Sequence, residues 1–70
     1  MTEIKSPAVG VVLEVLVSAG DAVTAEQELV VVESMKIEIP VVAPRAGTVS
    51  SVAVERGAHV KENDVVLTLD

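Results

Sequence analysis

Glu33-Ser34-Met35-Lys36-Ile37-Glu38 lies between two copies of one pattern, and the rest of the chain is arranged about it. Shifted by 37 positions, residues 7–33 fall on residues 44–70. Pro7 then meets Pro44, Gly10 meets Gly47, Val12 meets Val49 and Val15 meets Val52. Further along, Val17 meets Val54, Gly20 meets Gly57 and Val23 meets Val60. All 4 glycines are used up as pairs, and two of the 3 prolines pair as well. Glycine and proline mark backbone positions with special dihedral needs, so their repetition predicts a duplicated backbone path about a pseudo-twofold axis. Lys36 stands near the start of the ten residues, Ser34 to Ala43, that separate the copies.

On either side of this stretch the pattern is that of strands. Leu29–Val32 is a run of four apolar residues, which predicts a buried strand over Glu28–Ser34. A helix over Thr24–Val32, opened by a Thr24/Gln27 capping box, is the weaker reading of the same residues. Beyond Lys36, residues Ile37–Val42 alternate, with Ile37, Ile39 and Val41 on one face and Glu38 and Pro40 on the other. A proline inside a strand points to an edge or a bulge. Two such strands leave Met35-Lys36 as a two-residue hairpin loop.

The remaining chain follows the repeat. A first edge strand through Ile4 leads to a break at Ser6-Pro7-Ala8, then a strand over Gly10–Val17. Its apolar positions Val12, Val15 and Val17 change parity midway, which predicts a bulge near Leu13–Glu14. Turns at Ser18–Asp21 and Ala25–Gln27 flank a short strand over Ala22–Thr24. The second copy predicts strands over Gly47–Val54, His59–Lys61 and Asp64–Leu69. Eight short strands without a helix read as a small barrel or sandwich, a single domain over residues 1–70. Each half is too small to hide its own apolar face, so the two must close on each other.

Composition narrows the function. A domain of 70 residues buries only ~60% of the surface its unfolded chain exposes, and small domains often rely on disulfides or a metal. With no cysteine and a single histidine, His59, this chain must rely on aliphatic packing. Valine alone supplies 17 residues, and Val, Ile and Thr together 24, a bias toward strands. The net charge of −6 and the absence of aromatic residues argue against nucleic acid. No apolar run approaches the length of a membrane span, and the lack of cysteine fits a reducing, cytoplasmic setting. His59 has no cysteine or second histidine to build a metal site or nucleophilic triad with.

That leaves Lys36. Two-residue hairpin loops prefer Asn-Gly or Asp-Gly, because a type I′ turn holds both central residues at positive φ. Met-Lys is a poor choice on those grounds, and Met35 puts an apolar side chain where a polar one would be natural. A local rule broken without structural gain is expected at a functional site. An exposed lysine ammonium is a weak nucleophile at neutral pH, and nothing adjacent in sequence activates it. Lys36 therefore reads as a substrate, acylated by an enzyme that supplies both the base and the activated acid. Lys5 and Lys61 lack both the hairpin symmetry and an apolar neighbour like Met35. They serve as internal controls.

At these residues the chain resembles the biotinyl/lipoyl attachment domains, in particular the short free-standing biotin/lipoyl attachment proteins. The resemblance is carried by Glu33-Ser34-Met35-Lys36-Ile37-Glu38-Ile39-Pro40, by Ala43-Pro44-Arg45-Ala46-Gly47-Thr48-Val49, and by Gly20-Asp21-Ala22-Val23 with its echo Gly57-Ala58-His59-Val60. It covers essentially the whole chain. It implies an all-β fold, a flattened barrel of two four-stranded antiparallel sheets, with the modified lysine on an exposed hairpin. It makes Lys36 the attachment point, and Met35, Ser34, Ile37 and Glu33 the residues that a ligase reads. Met35 matches the methionine that biotin ligases favour, where lipoyl domains usually carry aspartate. Family members that carry biotin commonly have alanine at the position of Ser34 and methionine at that of Ile37. The implied role is a non-catalytic, monomeric biotin carrier, served by a biotin protein ligase and by biotin carboxylase and carboxyltransferase components. Lipoic acid, or both acids, is the alternative cargo, and an unmodified β-adaptor the plainest one.

Overall fold

A computed structural model describes residues 1–70 as eight strands and no helix. They are β1 (Thr2–Lys5), β2 (Gly10–Val15), β3 (Ala22–Val23), β4 (Glu28–Ser34), β5 (Ile37–Val42), β6 (Gly47–Val52), β7 (His59–Val60) and β8 (Val65–Leu69). β4 and β5 fall where the sequence predicts them. The strands expected to reach Val17 and Val54 end two residues earlier, because the chain is already curling into the turns that follow. Pairing nonetheless continues for one more residue, through Leu16 N–H to Leu29 C=O at 2.9 Å and Ala53 N–H to Val66 C=O at 2.9 Å. The short strands β3, β7 and β8 each lose one expected residue, Thr24, Lys61 and Asp64. All three belong to turns. Lys61 N–H donates to the Asp64 carboxylate at 2.8 Å, and Thr24 N–H donates to Gln27 Oε1 at 3.0 Å. The Thr24/Gln27 pair thus closes a turn rather than capping a helix.

The strands form two antiparallel four-stranded sheets, ordered β1-β8-β6-β3 and β5-β4-β2-β7. Each sheet takes its outermost short strand from the opposite half of the sequence. β3 pairs with β6, and β7 pairs with β2. The exchange is anchored by twin hydrogen bonds at the same lengths: Gly20 N–H to Val49 C=O, and Gly57 N–H to Val12 C=O, both 2.7 Å. Gly20 and Gly57 sit at φ 96° and 89°, which an L side chain rarely adopts. Neither half can complete a sheet without the other.

Symmetry extends to the irregularities. The register of β2 against β4 shifts between Val12 and Glu14, and that of β6 against β8 between Val49 and Ser51. This is the bulge that the change of parity predicts. It turns Val12 and Val17 both inward, and they join a single core of 14 apolar residues, among them Leu29, Val30, Val32, Val66, Leu67 and Leu69. With no aromatic ring available, this aliphatic cluster carries the stability, each fully buried Val or Leu contributing roughly 1.5–3 kcal/mol of transfer free energy. β5, which carries Pro40, is an edge strand, so the missing proline N–H interrupts no ladder on its outer side.

Candidate functional site

The β4–β5 hairpin runs past the end of the core. Along β4, Leu29, Val30 and Val32 are buried, Glu33 is exposed and Ser34 is half-buried. On the return, the inward face predicted for Ile37, Ile39 and Val41 is graded: Ile37 is 64% exposed, Ile39 half-buried and Val41 buried. The alternation is as expected, but Ile37 lies beyond the core. Ser34 pairs with Ile37 and Glu33 with Glu38, leaving Met35-Lys36 as the connecting turn. Their φ angles are 52° and 66°, the left-handed values of a type I′ turn.

Lys36 is exposed, and Met35 is 92% exposed. The tip is thus a cationic amine beside an apolar thioether, both displayed by a tight turn on the paired strands below. Glu33 and Glu38 face each other just behind it, a like-charge pair that costs a sheet a little stability. Two surface grooves exist, one between the free edges of β1 and β5 and one beside β2 and β7. Neither is lined by residues of the tip. Anything attached to Lys36 therefore has no ready-made cavity beside it on this chain, and the site suits a group that must leave the domain surface to act.

The other sequence candidates lie apart. Lys5 is exposed on β1, Lys61 belongs to the turn after β7, and His59 is exposed on β7 opposite Val11. One supporting residue is not singled out by the sequence, in which the glycines read only as backbone positions with special dihedral needs. Gly10 lies directly beneath the hairpin. A Cβ there would stand 2.9 Å from the Glu33 carbonyl carbon, and nearer still to its oxygen. The close approach needs a residue without a side chain. The signal was present in the pairing of Gly10 with Gly47, but the partner surface was not.

Over residues 2–69 the chain matches the family described as "Biotin-requiring enzyme". It is 42% identical over 67 residues to the biotinylated protein TB7.3 homolog of Mycobacterium leprae, covering 96% of this chain and 94% of that protein. It is 49% identical over 72 residues to the dihydrolipoyllysine-residue acetyltransferase component of the pyruvate dehydrogenase complex of Azotobacter vinelandii. That match covers 96% of this chain but only 11% of the relative. Among solved structures, the urea carboxylase of Kluyveromyces lactis superimposes with a TM-score of 0.91 at 26% identity, over 97% of this chain and 6% of that one. The chain belongs to the biotinyl/lipoyl attachment family.

Proposed function

We propose that this protein is a biotin carrier, with the cofactor joined by an amide to Nζ of Lys36. The observation that carries the reading is the tip itself: an exposed lysine at the centre of a type I′ turn, preceded by an exposed methionine. Biotin, when bound, supplies a ring nitrogen that takes up and releases a carboxyl group. The residues of this chain supply display. The paired strands hold the turn, Gly10 lets the hairpin lie close against β2, and the lack of a groove at the tip leaves the arm free to visit separate active sites. The partners on this reading are a biotin protein ligase and carboxylase-type enzymes, and the chain works as a cytoplasmic monomer. The chain itself performs no catalysis.

A lipoyl cargo is the second reading, favoured by the 49% identity to the Azotobacter acetyltransferase component. The two acids are separated by the side chains flanking the lysine, since both ligases must accept the same small fold. A charge excludes a wrong partner as effectively as a contact recruits the right one. The test is a competition between purified biotin and lipoyl ligases, with the product read by intact mass. Unaltered protein takes biotin, while Met35→Asp with Ile37→Ala loses biotinylation by about tenfold or more, because a carboxylate in an apolar pocket goes unpaired. Lipoylation of the double variant stays equal or improves. Preference of the unaltered protein for the lipoyl ligase would overturn the biotin reading.

A further inference from the structure

The chain has 2 methionines and no cysteine. One methionine is next to Lys36 and 92% exposed, a location in which neither packing nor the turn asks for a thioether. We propose that Met35 is a reversible oxidation site, and that its sulfoxide blocks acylation of the neighbouring Lys36. The inference rests on the carrier reading above. A sulfur lone pair attacks one oxygen of hydrogen peroxide and the S–O bond forms as the O–O bond breaks. The second oxygen leaves with both protons as water. Sulfur is oxidised by two electrons and the peroxide is reduced.

The consequence follows from where Met35 sits. An unbranched thioether fits an irregular apolar pocket, whereas a sulfoxide is polar and demands a hydrogen-bond donor. A ligase that receives Lys36 must contact the preceding residue of the same two-residue turn. It would bury the new oxygen without a partner. The backbone need not move, because the two forms are identical from Cα to Cγ and differ only at the sulfur. Since the block acts at the ligase step, it gates only unmodified chains, and those already acylated are unaffected. Sulfoxide reduction restores the acceptor.

The remaining methionine provides a control. Met1 is 91% exposed and precedes β1, whose Thr2 pairs with Leu69 at the far end of the molecule from the hairpin. In the experiment, unmodified chain is treated with hydrogen peroxide, the peroxide is removed with catalase, and peptide mass locates the added oxygen. Initial rates with biotin ligase are then compared. Full oxidation of Met35 is expected to slow biotinylation by about tenfold or more, the scale of burying one unpaired polar group. Methionine sulfoxide reductase restores the rate. Met35→Leu, whatever its own rate, shows the same rate before and after peroxide although Met1 is still oxidised. An unchanged rate for the Met35 sulfoxide overturns the inference and leaves the carrier reading standing, as does an equal loss in Met35→Leu. Failure of the untreated chain to accept biotin overturns the carrier reading itself.

Discussion

The two ends of the barrel are related by the pseudo-twofold axis, yet they are finished differently. At one end Val32 faces Ile39 across the hairpin, and at the other Leu69 faces Thr2 in the corresponding register. The first end is closed by the chain, which runs through the six residues Glu33 to Glu38, by way of the Met35-Lys36 turn, between Val32 and Ile39. The second end has no connecting turn, and a side chain does the closing. The Arg45 guanidinium donates to Thr2 Oγ1 at 2.9 Å, to the Asp70 carbonyl at 2.8 Å and to the Ala46 carbonyl at 3.0 Å. The residue that the repeat places opposite Arg45 is Ala8. Covalent closure thus makes a clamp unnecessary at the hairpin end, and the tip is left projecting with no side chain folded across it. Duplication supplies the frame, and the segment between the two copies supplies the displayed tip.

The comparison is broken most completely at the lysine. Amide formation removes one positive charge, so the formal net charge of −6 becomes −7 on modification. Lys36→Arg keeps the charge but offers no amine for the ligase. It is expected to abolish capture by streptavidin, while Lys61→Arg labels normally, and its stability should stay within about 0.5 kcal/mol of the parent. Labelling that survives Lys36→Arg and disappears in Lys61→Arg would move the site from the hairpin to the second copy.

The paired glycines test whether the ends are packed differently. A Cβ at Gly10 meets the backbone of Glu33, which is held in the sheet. A Cβ at Gly47 meets mainly Nη1 of Arg45 at 2.7 Å, the end of a flexible side chain, while the equivalent carbonyl of Asp70 is 3.4 Å away. Gly10→Ala is therefore expected to cost about 1–3 kcal/mol, as overpacking does. Gly47→Ala should lie within about 0.5 kcal/mol of the parent in urea unfolding. Equal losses would mean that the two ends are packed alike. The clamp gives a smaller effect: Arg45→Ala loses about 1 kcal/mol with its hydrogen bonds, and Ala8→Arg, placed where the chain is already closed, gains nothing.

How much of this was legible beforehand follows from what a single sequence encodes. The offset of 37 residues and the parity change gave the strands, the bulges and the all-β class, because those are properties of one stretch read along itself. Nothing in periodicity says which strand pairs with which, so the exchange of β3 and β7 between halves stayed hidden. So did the contact between Gly10 and Glu33 and the reach of Arg45 to Thr2. Lys36 was legible for the opposite reason. It lies in the segment between the two copies, at its turn.

The poor fit of Met35-Lys36 to a type I′ turn is one of three marks of the hairpin, beside its position between the copies and the exposed thioether, and it rests on the strain of non-glycine residues at positive φ. But Glu26 also lies at φ 68°, in a turn without a lysine, and its repeat partner Asn63 at φ 71°, in the turn that begins at the control residue Lys61. The chain adopts this conformation away from the hairpin as well, so an unfavourable turn residue alone does not mark a site. Asparagine tolerates the left-handed region better than glutamate or methionine does. Glu26→Asn should therefore gain about 0.5 kcal/mol and Asn63→Glu lose as much, with biotinylation unchanged in both. Met35→Asn should gain a similar amount and yet slow the ligase, because the apolar handle is gone. Urea midpoints and initial biotinylation rates, measured on all three, separate the two properties. If Met35→Asn is stabilised and still modified at the parental rate, the exposed methionine is as incidental to recognition as Glu26, and whatever a ligase reads has to be sought in Ser34, Ile37 and Glu33.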